Sequence, residues 1–297
     1  MGKLAIISDL HVDINGLEES LLNRLREFLL EQGITHLHLG GDTANTHQGT
    51  LRAVAFFQEK IPTTFHWGNH EMVDLVGESE IEAFSDDSFL NFRTKELSNN
   101  TLLLGVNGWY DYRYSDSDDE QEIRRLKDLF WYDRKITRFD SDPAVSESIN
   151  QRLEKTLLQI PKEKKIILST HFVPKREFII QQEGEHLRWN QLNAFLGSES
   201  FGGVIDRFPQ VTDVIFGHTH RRFASKQIGP TWYHCRPFGY YYEWQLTRDF
   251  VFDHQLVEKY RPTKLRSVLK KNQVAFNQHK EYFLLQEFQR GMTIIPY

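Results

Sequence analysis

The chain has 297 residues, of which 26% are charged and 13% aromatic, and its formal net charge at pH 7 is -5. This is the composition of an ordinary globular protein with a sizeable core, without the basic excess of a dedicated nucleic-acid-binding domain. A mildly acidic chain can still bind an anionic substrate, because bound cations reverse the local potential. The single cysteine, Cys235, allows no intramolecular disulfide, which suits a reducing compartment.

The N-terminal residues predict no leader segment. Their apolar run is shorter than a signal peptide and soon meets Asp9 and His11. Nowhere does an apolar stretch approach the roughly 20 residues of a membrane span. We therefore expect a cytoplasmic protein with no membrane span, and the sequence does not indicate its oligomeric state.

Apolar runs and amphipathic segments alternate along the first part of the chain. They predict strands at residues 3–8, 34–39 and 62–67, and helices at residues 17–32 and 50–60. Gly33 is a typical helix stop. This βαβ beginning indicates an α/β fold built in layers.

The rest of the chain predicts more elements of the same kind. Strands are predicted at residues 101–106, 165–170, 211–216, 232–235 and 241–246, and helices at residues 120–134 and 146–160. The tyrosines 240–242 and Trp244 are expected in the core or on a sheet face. Residues 251–297 mix aromatics with Lys and Arg, and we expect them to form a C-terminal extension packed on the same domain.

Five predicted strands each end in side chains of metal-ligand type. These ends are Asp9-Leu10-His11, Gly40-Gly41-Asp42, Gly68-Asn69-His70-Glu71, His171 and Gly217-His218-Thr219-His220. Ligands of α/β sheets bind outside the carboxyl ends of the strands, so neighbouring strands would bring all five clusters into one crevice. Imidazole, carboxylate and amide oxygen suit Zn, Mn or Fe rather than Ca or Mg alone. One carboxylate can bridge two cations about 3.5–4 Å apart.

The clusters differ in how specific they are. By chance, Asp-x-His is expected about 0.8 times in this composition, whereas Gly-His-x-His is expected roughly 0.03 times. Taken alone, Asp9 and Asp42 could equally be turn or helix-cap residues. His171 stands in no local motif, and it is included because it ends a strand of the right kind. The succession of five clusters in this order is much more specific than any one of them.

The succession D-x-H, G-D, G-N-H-E, H and G-H-x-H resembles the signature of calcineurin-like metallophosphoesterases. The resemblance implies an α/β fold of four layers, in which two mixed β-sheets pack as a sandwich flanked by helices. Residues 1–250 would form the catalytic domain and residues 251–297 the extension. The resemblance also implies two divalent or trivalent metal ions, with Mn, Fe or Zn as the expected metals.

Residue roles follow from the same resemblance. One metal would be bound by Asp9, His11 and His220, the other by Asn69, His171 and His218, and Asp42 would bridge both. His70 would lie near the scissile phosphate as an electrostatic stabiliser or a general acid. The resemblance identifies no substrate-binding residues.

The sequence departs from the family pattern at one position. Family members often have a second Asp three residues after the bridging one, which orients the catalytic histidine, and here that position is Asn45. An amide oxygen can accept a hydrogen bond from imidazole but stabilises imidazolium less than a carboxylate does. Asp74 and Glu71 are alternative partners for His70.

The expected function is hydrolysis of phosphate mono- or diesters by in-line attack of a metal-bound water or hydroxide. The substrate would be small or nucleotide-like, because the net charge argues against dedicated nucleic-acid binding. A phosphoprotein phosphatase and a non-catalytic binding scaffold on the same fold are the alternatives. The scaffold is disfavoured because all seven ligand positions are filled.

Overall fold

The computed structural model of the protein describes residues 2–297, and it contains two β-sheets with helices around them. The strands are β1 (Lys3–Ile7), β2 (His36–Gly40), β3 (Thr63–His66), β4 (Arg93–Ser98), β5 (Thr101–Val106), β6 (Lys165–Thr170), β7 (Val211–Phe216), β8 (Lys226–Ile228), β9 (Thr231–Cys235) and β10 (Thr293–Pro296). The α-helices are α1 (Glu19–Glu31), α2 (His47–Gln58), α3 (Asn69–Met72), α4 (Glu78–Glu82), α5 (Glu120–Phe130), α6 (Asp142–Gln159), α7 (Glu199–Ile205), α8 (Gln245–Asp253), α9 (Pro262–Lys271) and α10 (Gln273–Arg290). Short 3₁₀ segments span Tyr132–Lys135, Arg176–Phe178 and Gly184–Phe195.

Both sheets are mixed. The first has the strand order β10-β1-β2-β3, in which β1, β2 and β3 are parallel and β10 is antiparallel to β1. The second has the order β4-β5-β6-β7-β9-β8, in which β5, β6, β7 and β9 are parallel and the two edge strands are antiparallel. The expected α/β fold of two mixed sheets flanked by helices is therefore confirmed.

The strands alternate between two apolar environments, as the two-residue period of a strand requires. In β1, Leu4 and Ile6 belong to a cluster that also contains Leu103 of β5 and Ile167 of β6, so these side chains pack between the two sheets. The intervening Ala5 and Ile7 of β1 belong instead to the large cluster that includes the helices. This pattern explains why β1 is apolar at every position after Lys3.

Two predicted helices differ from the structure by four residues at one end. The helix predicted at residues 146–160 begins at Asp142, because Pro143 fits the first helical turn. The helix predicted at residues 120–134 ends at Phe130, and a 3₁₀ turn follows it.

The strand predicted at residues 241–246 is wrong. Gly239 has a φ of +74°, which turns the chain away from β9, and helix α8 begins at Gln245. The tyrosines before α8 thus stand in a turn rather than on a sheet. Strands β4, β8 and β10 were not predicted. β4 and β8 are mostly exposed and polar, and β10 is a short edge strand among the C-terminal residues, where no elements were predicted.

The C-terminal residues reach back to the beginning of the chain. Strand β10 pairs with β1 from Lys3 opposite Pro296 to Ile6 opposite Thr293. Helix α10 packs against α8 and α1. The edge of the first sheet next to β1 is therefore formed by the last residues. Within residues 2–297, no helix is long and apolar enough to cross a membrane.

Candidate metal centre

The predicted site residues lie at the carboxyl ends of five strands, but these strands come from two sheets. β1, β2 and β3 of the first sheet lead to Asp9 and His11, to Asp42, and to Asn69 and His70. β6 and β7 of the second sheet lead to His171, His218 and His220. The five clusters were expected at neighbouring strands that form one crevice. They lie instead at the edge where the two sheets meet.

Two groups of ligand-type side chains share one carboxylate. The first group is Asp9, His11, Asp42 and His220, and the second is Asp42, His171 and His218. Within each group, the candidate ligand atoms all lie within 4.8 Å of one another. Asp42 belongs to both groups, which is the arrangement that a bridging carboxylate requires.

Asn69 joins the second group. Its Oδ1 lies 3.0 Å from His218 Nδ1 and 3.0 Å from His171 Nε2. The Nε2 of His70 lies 3.9 Å from Asp42 Oδ2. All eight side chains predicted for the site therefore lie together, although they span more than two hundred positions of the chain.

The facing ring nitrogens show which chemistry the site suits. His11 Nε2 lies 3.1 Å from His220 Nε2, and His218 Nδ1 lies 3.2 Å from His171 Nε2. Two nitrogens this close can share one proton, or both can direct a lone pair at a cation between them. Nitrogen and oxygen donors in this mixture are those preferred by Zn, Mn and Fe.

Five site residues share the same strained, left-handed backbone conformation. Asp9, His11, Asp42, His218 and His220 all have φ between +43° and +66°. They are five of the eight non-glycine residues with positive φ in residues 2–297. Left-handed backbone is unfavourable for residues with a Cβ, and it persists where the surroundings enforce it, commonly at functional sites.

Two glycines of the motifs let carboxylates approach the backbone. A Cβ on Gly217 would collide with the Asp9 carboxylate and with the Ser8 side chain. A Cβ on Gly68 would collide with the Asp42 carboxylate. The glycine preceding His218 and the glycine preceding Asn69 are therefore required by the position of a neighbouring acidic side chain.

In the absence of metal, electrostatic interactions between the buried carboxylates and imidazoles determine which of these groups are protonated. Burial lowers the pKa of His171, but the surrounding carboxylates, Asp42 first and then Asp9 and Glu71, together outweigh burial and raise that pKa to about 9. Burial likewise lowers the pKa of His220, whereas hydrogen bonds with Asp9 and Glu243 raise it to about 10. The Asp9 carboxyl is buried, which raises its pKa, but the neighbouring His220 and His171 hold that pKa at about 2. Two imidazolium groups thus compensate two buried carboxylates.

A second set of contacts orients the ligand-type side chains. Glu243 Oε2 accepts a hydrogen bond from His220 Nδ1 at 2.9 Å. The Phe195 carbonyl accepts one from His218 Nε2 at 3.0 Å. Asn69 Nδ2 donates to Asp133 Oδ1 at 2.8 Å, which turns the amide oxygen towards the other ligand-type atoms. Partners of this kind fix the orientation and tautomer of metal ligands.

Asn45, which stands where the family pattern often has an aspartate, contacts His70. His70 Nδ1 donates to Asn45 Oδ1 at 2.7 Å, so the amide occupies the place of the family carboxylate. Asp74 bonds to His47 instead, with an oxygen to Nδ1 distance of 2.7 Å. Neither Asp74 nor Glu71 orients His70, and these two alternatives are wrong.

Glu71 holds together the loops that carry Asp42 and Asn69. Its carboxylate accepts hydrogen bonds from four backbone N–H groups, those of Asp42, Thr43, Ala44 and Gly68, and from the Thr50 hydroxyl. Burial and the neighbouring Asp42 raise the pKa of Glu71 to about 7. Glu71, the final residue of the Gly-Asn-His-Glu motif, thus has a structural role in the site.

Three residues near the site were not predicted from the sequence. Asp133 lies on a short 3₁₀ turn, Glu243 on the turn before α8, and Tyr240 beside His70. Tyr240 was expected in the core or on a sheet face, but it is half-buried and its hydroxyl lies 3.2 Å from His70 Nε2. None of the three follows a strand or stands in a histidine motif, so no local signal marks them.

Comparison with known proteins gives a family and a fold. The family described as calcineurin-like phosphoesterase matches residues 2–222. No curated protein sequence matches the chain significantly. The crystal structure of phosphopantetheinyl hydrolase from Mycobacterium tuberculosis superposes with a TM-score of 0.61 at 16% identity, covering 82% of this chain and 92% of that one. A dimetal phosphatase from Danio rerio gives a TM-score of 0.48 at 16% identity, with coverage of 80% and 87%.

Gly217→Ala tests the close packing of Asp9. We expect it to lower the free energy of unfolding by about 1–3 kcal/mol, because the added methyl group must displace a buried carboxylate. The matched control is Gly203→Ala in α7, where an added Cβ meets no atom within 4 Å. That change should be neutral or stabilising by up to about 1 kcal/mol. Urea unfolding of metal-free protein measures both, and equal stabilities of the two variants would contradict the packing argument.

Proposed function

The chain belongs to the calcineurin-like phosphoesterase family, and on this premise we propose that it hydrolyses phosphate esters with two metal ions bound. The observation that carries the proposal is that Asp42 is shared by two compact groups of ligand-type side chains. The first group would hold one cation through Asp9, His11 and His220. The second would hold the other through the side chains of Asn69, His171 and His218.

The bound cations would neutralise phosphoryl oxygens and lower the pKa of the attacking water. The protein's own contribution is to fix the donors before binding. The left-handed backbone at Asp9 and Asp42 and the hydrogen bonds of His218 and His220 to Phe195 and Glu243 hold the donors in place. A site arranged in advance does not need to reorganise when charge develops.

His70 is proposed as the proton donor to the leaving oxygen. Its Nδ1–H is occupied by Asn45, so Nε2 is the nitrogen that faces Asp42 and the centre of the site. Burial lowers the pKa of His70. The Asn45 amide orients the ring, and as a neutral acceptor it stabilises imidazolium less than a carboxylate would.

We propose a small or nucleotide-like phosphate mono- or diester as substrate. The formal net charge of -5 is unfavourable for a polyanionic partner such as a long nucleic acid. A compact ester requires only the local cationic potential of the metal site.

Asp42→Ala tests the proposed function. We expect loss of both metals and at least about a 10²-fold loss of activity, because metal ions supply several kcal/mol of charge stabilisation. Metal content by mass spectrometry and hydrolysis of phosphomonoesters, phosphodiesters and cyclic nucleotides measure the two effects. The control is Asp206→Ala, which removes a surface partner of Lys175. Wild-type turnover by the Asp42 variant would refute the proposal.

Asp133→Ala tests the orientation of Asn69. Asp133 accepts hydrogen bonds from Asn69 Nδ2 and, at 3.0 Å, from Trp131 Nε1. Alanine at this position accepts neither hydrogen bond, so Asn69 loses its fixed orientation. We expect about a 10-fold to 100-fold weaker affinity for one of the two metals. Titration against a chromophoric chelator measures it, with exposed Asp140→Ala as control, and an unchanged affinity would contradict the role.

Metal binding should release protons at pH 7. In the metal-free protein, His171 and His220 have pKa values of about 9 and about 10, above the ordinary 6.5. Their protonation therefore stabilises the metal-free fold fully below pH 6.5, and this contribution disappears as the pH rises through 9 to 10. Coordination requires neutral imidazole.

We expect release of about two protons per chain on metal loading at pH 7, with apparent metal affinity rising towards pH 9. Calorimetric titration in buffers of different ionisation enthalpy counts the protons. Metal binding without proton release, or a metal affinity that does not change with pH, would show that His171 and His220 do not lose a proton when the metals bind.

A further inference from the structure

Residues 237–244 lie beyond the part of the chain that matches the family, yet they run along the site. The backbone N–H of Phe238 donates to the Ser8 carbonyl at 2.9 Å, and that of Gly239 donates to the Asp9 carbonyl at 3.1 Å. The Asn15 side chain donates to the Gly239 carbonyl at 2.9 Å. This segment is therefore fixed against the loop that carries the first two ligand-type residues.

Tyr240 is the residue of this segment that reaches the site. Its backbone N–H donates at 3.1 Å to Glu243 Oε2, the same oxygen that holds His220 Nδ1. Its ring lies edge-on to His220 with centroids 4.2 Å apart, and tilted against His11 with centroids 4.6 Å apart. One carboxylate thus sets the positions of His220 and of the tyrosine backbone together.

The hydroxyl of Tyr240 lies next to His70 Nε2, the nitrogen proposed to donate a proton to the leaving oxygen. The distance from Tyr240 Oη to His70 Nε2 is 3.2 Å. Because Nδ1 of the same ring donates to Asn45, Nε2 of the neutral ring is an acceptor and the tyrosine O–H is the donor. Tyr132 stacks on the His70 ring with centroids 4.4 Å apart and planes 19° apart, which holds the ring in this orientation.

We propose that Tyr240 is a further catalytic residue, whose hydroxyl donates a hydrogen bond to the leaving oxygen of the ester beside His70. This role rests on the proposed function. An oxygen within hydrogen-bond distance of both His70 Nε2 and Tyr240 Oη occupies the point where a leaving group meets its acid. Two donors at one oxygen stabilise the charge that develops there more than one donor does.

The proton balance of the step is simple. The bond between phosphorus and the leaving oxygen breaks, and the bond between phosphorus and the attacking water oxygen forms. The leaving oxygen takes the Nε2 proton of His70 in its imidazolium form, which leaves the neutral ring with its proton on Nδ1. Tyr240 keeps its own proton throughout and acts only as a hydrogen-bond donor. Solvent restores the proton on His70, and the proton of the attacking water passes to solvent.

Tyr240→Phe separates the hydroxyl from the ring contacts, which phenylalanine preserves. The matched control is Tyr242→Phe, which removes a hydroxyl bonded to Arg266 at 2.8 Å. In metal-free protein, the ¹⁵N shift of His70 Nε2 should change in the Tyr240 variant and not in the control. The metal content of all three proteins should be the same.

The expected kinetic effect depends on the leaving group. Tyr240→Phe should lower kcat/KM about 10-fold for an alkyl phosphate, as expected for one lost hydrogen bond to a charged atom. It should have little effect on a nitrophenyl phosphate, whose leaving oxygen needs less stabilisation. Tyr242→Phe should have no leaving-group-dependent effect.

The outcomes separate the two claims. If the wild-type protein hydrolyses the esters and Tyr240→Phe slows all of them equally or not at all, the role of Tyr240 is refuted and the proposed function stands. If metal-loaded wild-type protein hydrolyses none of the esters, the proposed function is refuted and this role with it. An unchanged His70 shift in Tyr240→Phe would also refute the role.

Discussion

The buried carboxylate of Asp42 is the group around which the site is built. It is 1% exposed and lies 3.3 Å from His171 Nε2 and 3.8 Å from His11 Nε2. A carboxylate removed from water is costly unless positive charge surrounds it. His171 supplies that charge as imidazolium when the site is protonated, because its pKa is raised to about 9. Cations would supply the charge when the imidazoles are neutral. The proposed metal centre and the stability of the fold around Asp42 thus depend on the same electrostatic compensation.

The arrangement also requires unfavourable backbone conformations at the site. Strained left-handed conformations occur at Asp9, Asp42 and His218, and a clamp at Glu71 fixes the loops between them. Strain of this kind costs of order 1–3 kcal/mol per residue and persists only where the surrounding structure determines it. The two sheets provide those surroundings, because each contributes strand ends to one shared edge. The hydrogen bonds of Glu243 and Asp133 to His220 and Asn69 then orient side chains that the backbone alone would leave free.

Most of the site was predictable because its signals are local. Gly-His-Thr-His and Gly-Asn-His-Glu are short, improbable patterns placed directly after buried strands, and strand ends are where α/β folds bind ligands. The first five elements were predictable for the same reason, since their apolar periods are regular. The assignment of each ligand-type side chain to a metal remains a prediction.

The unpredicted features depend on contacts between distant positions. Tyr240 and His70 are 170 positions apart, and the segment 241–246 looks like a strand because its aromatic residues are typical of sheets. Only the turn at Gly239 shows that these aromatics face the site and the core. Strand β10 is short and at an edge, so its pairing with β1 could be recognised only in three dimensions.

The proposed function requires that two cations share the Asp42 carboxylate. Crystals of the protein soaked in Mn²⁺, with diffraction measured at the manganese absorption edge, test this directly. We expect two anomalous peaks about 3.5–4 Å apart, one beside His11 and His220 and one beside His171 and His218, with Asp42 between them. A single peak, or two peaks without Asp42 between them, would contradict it.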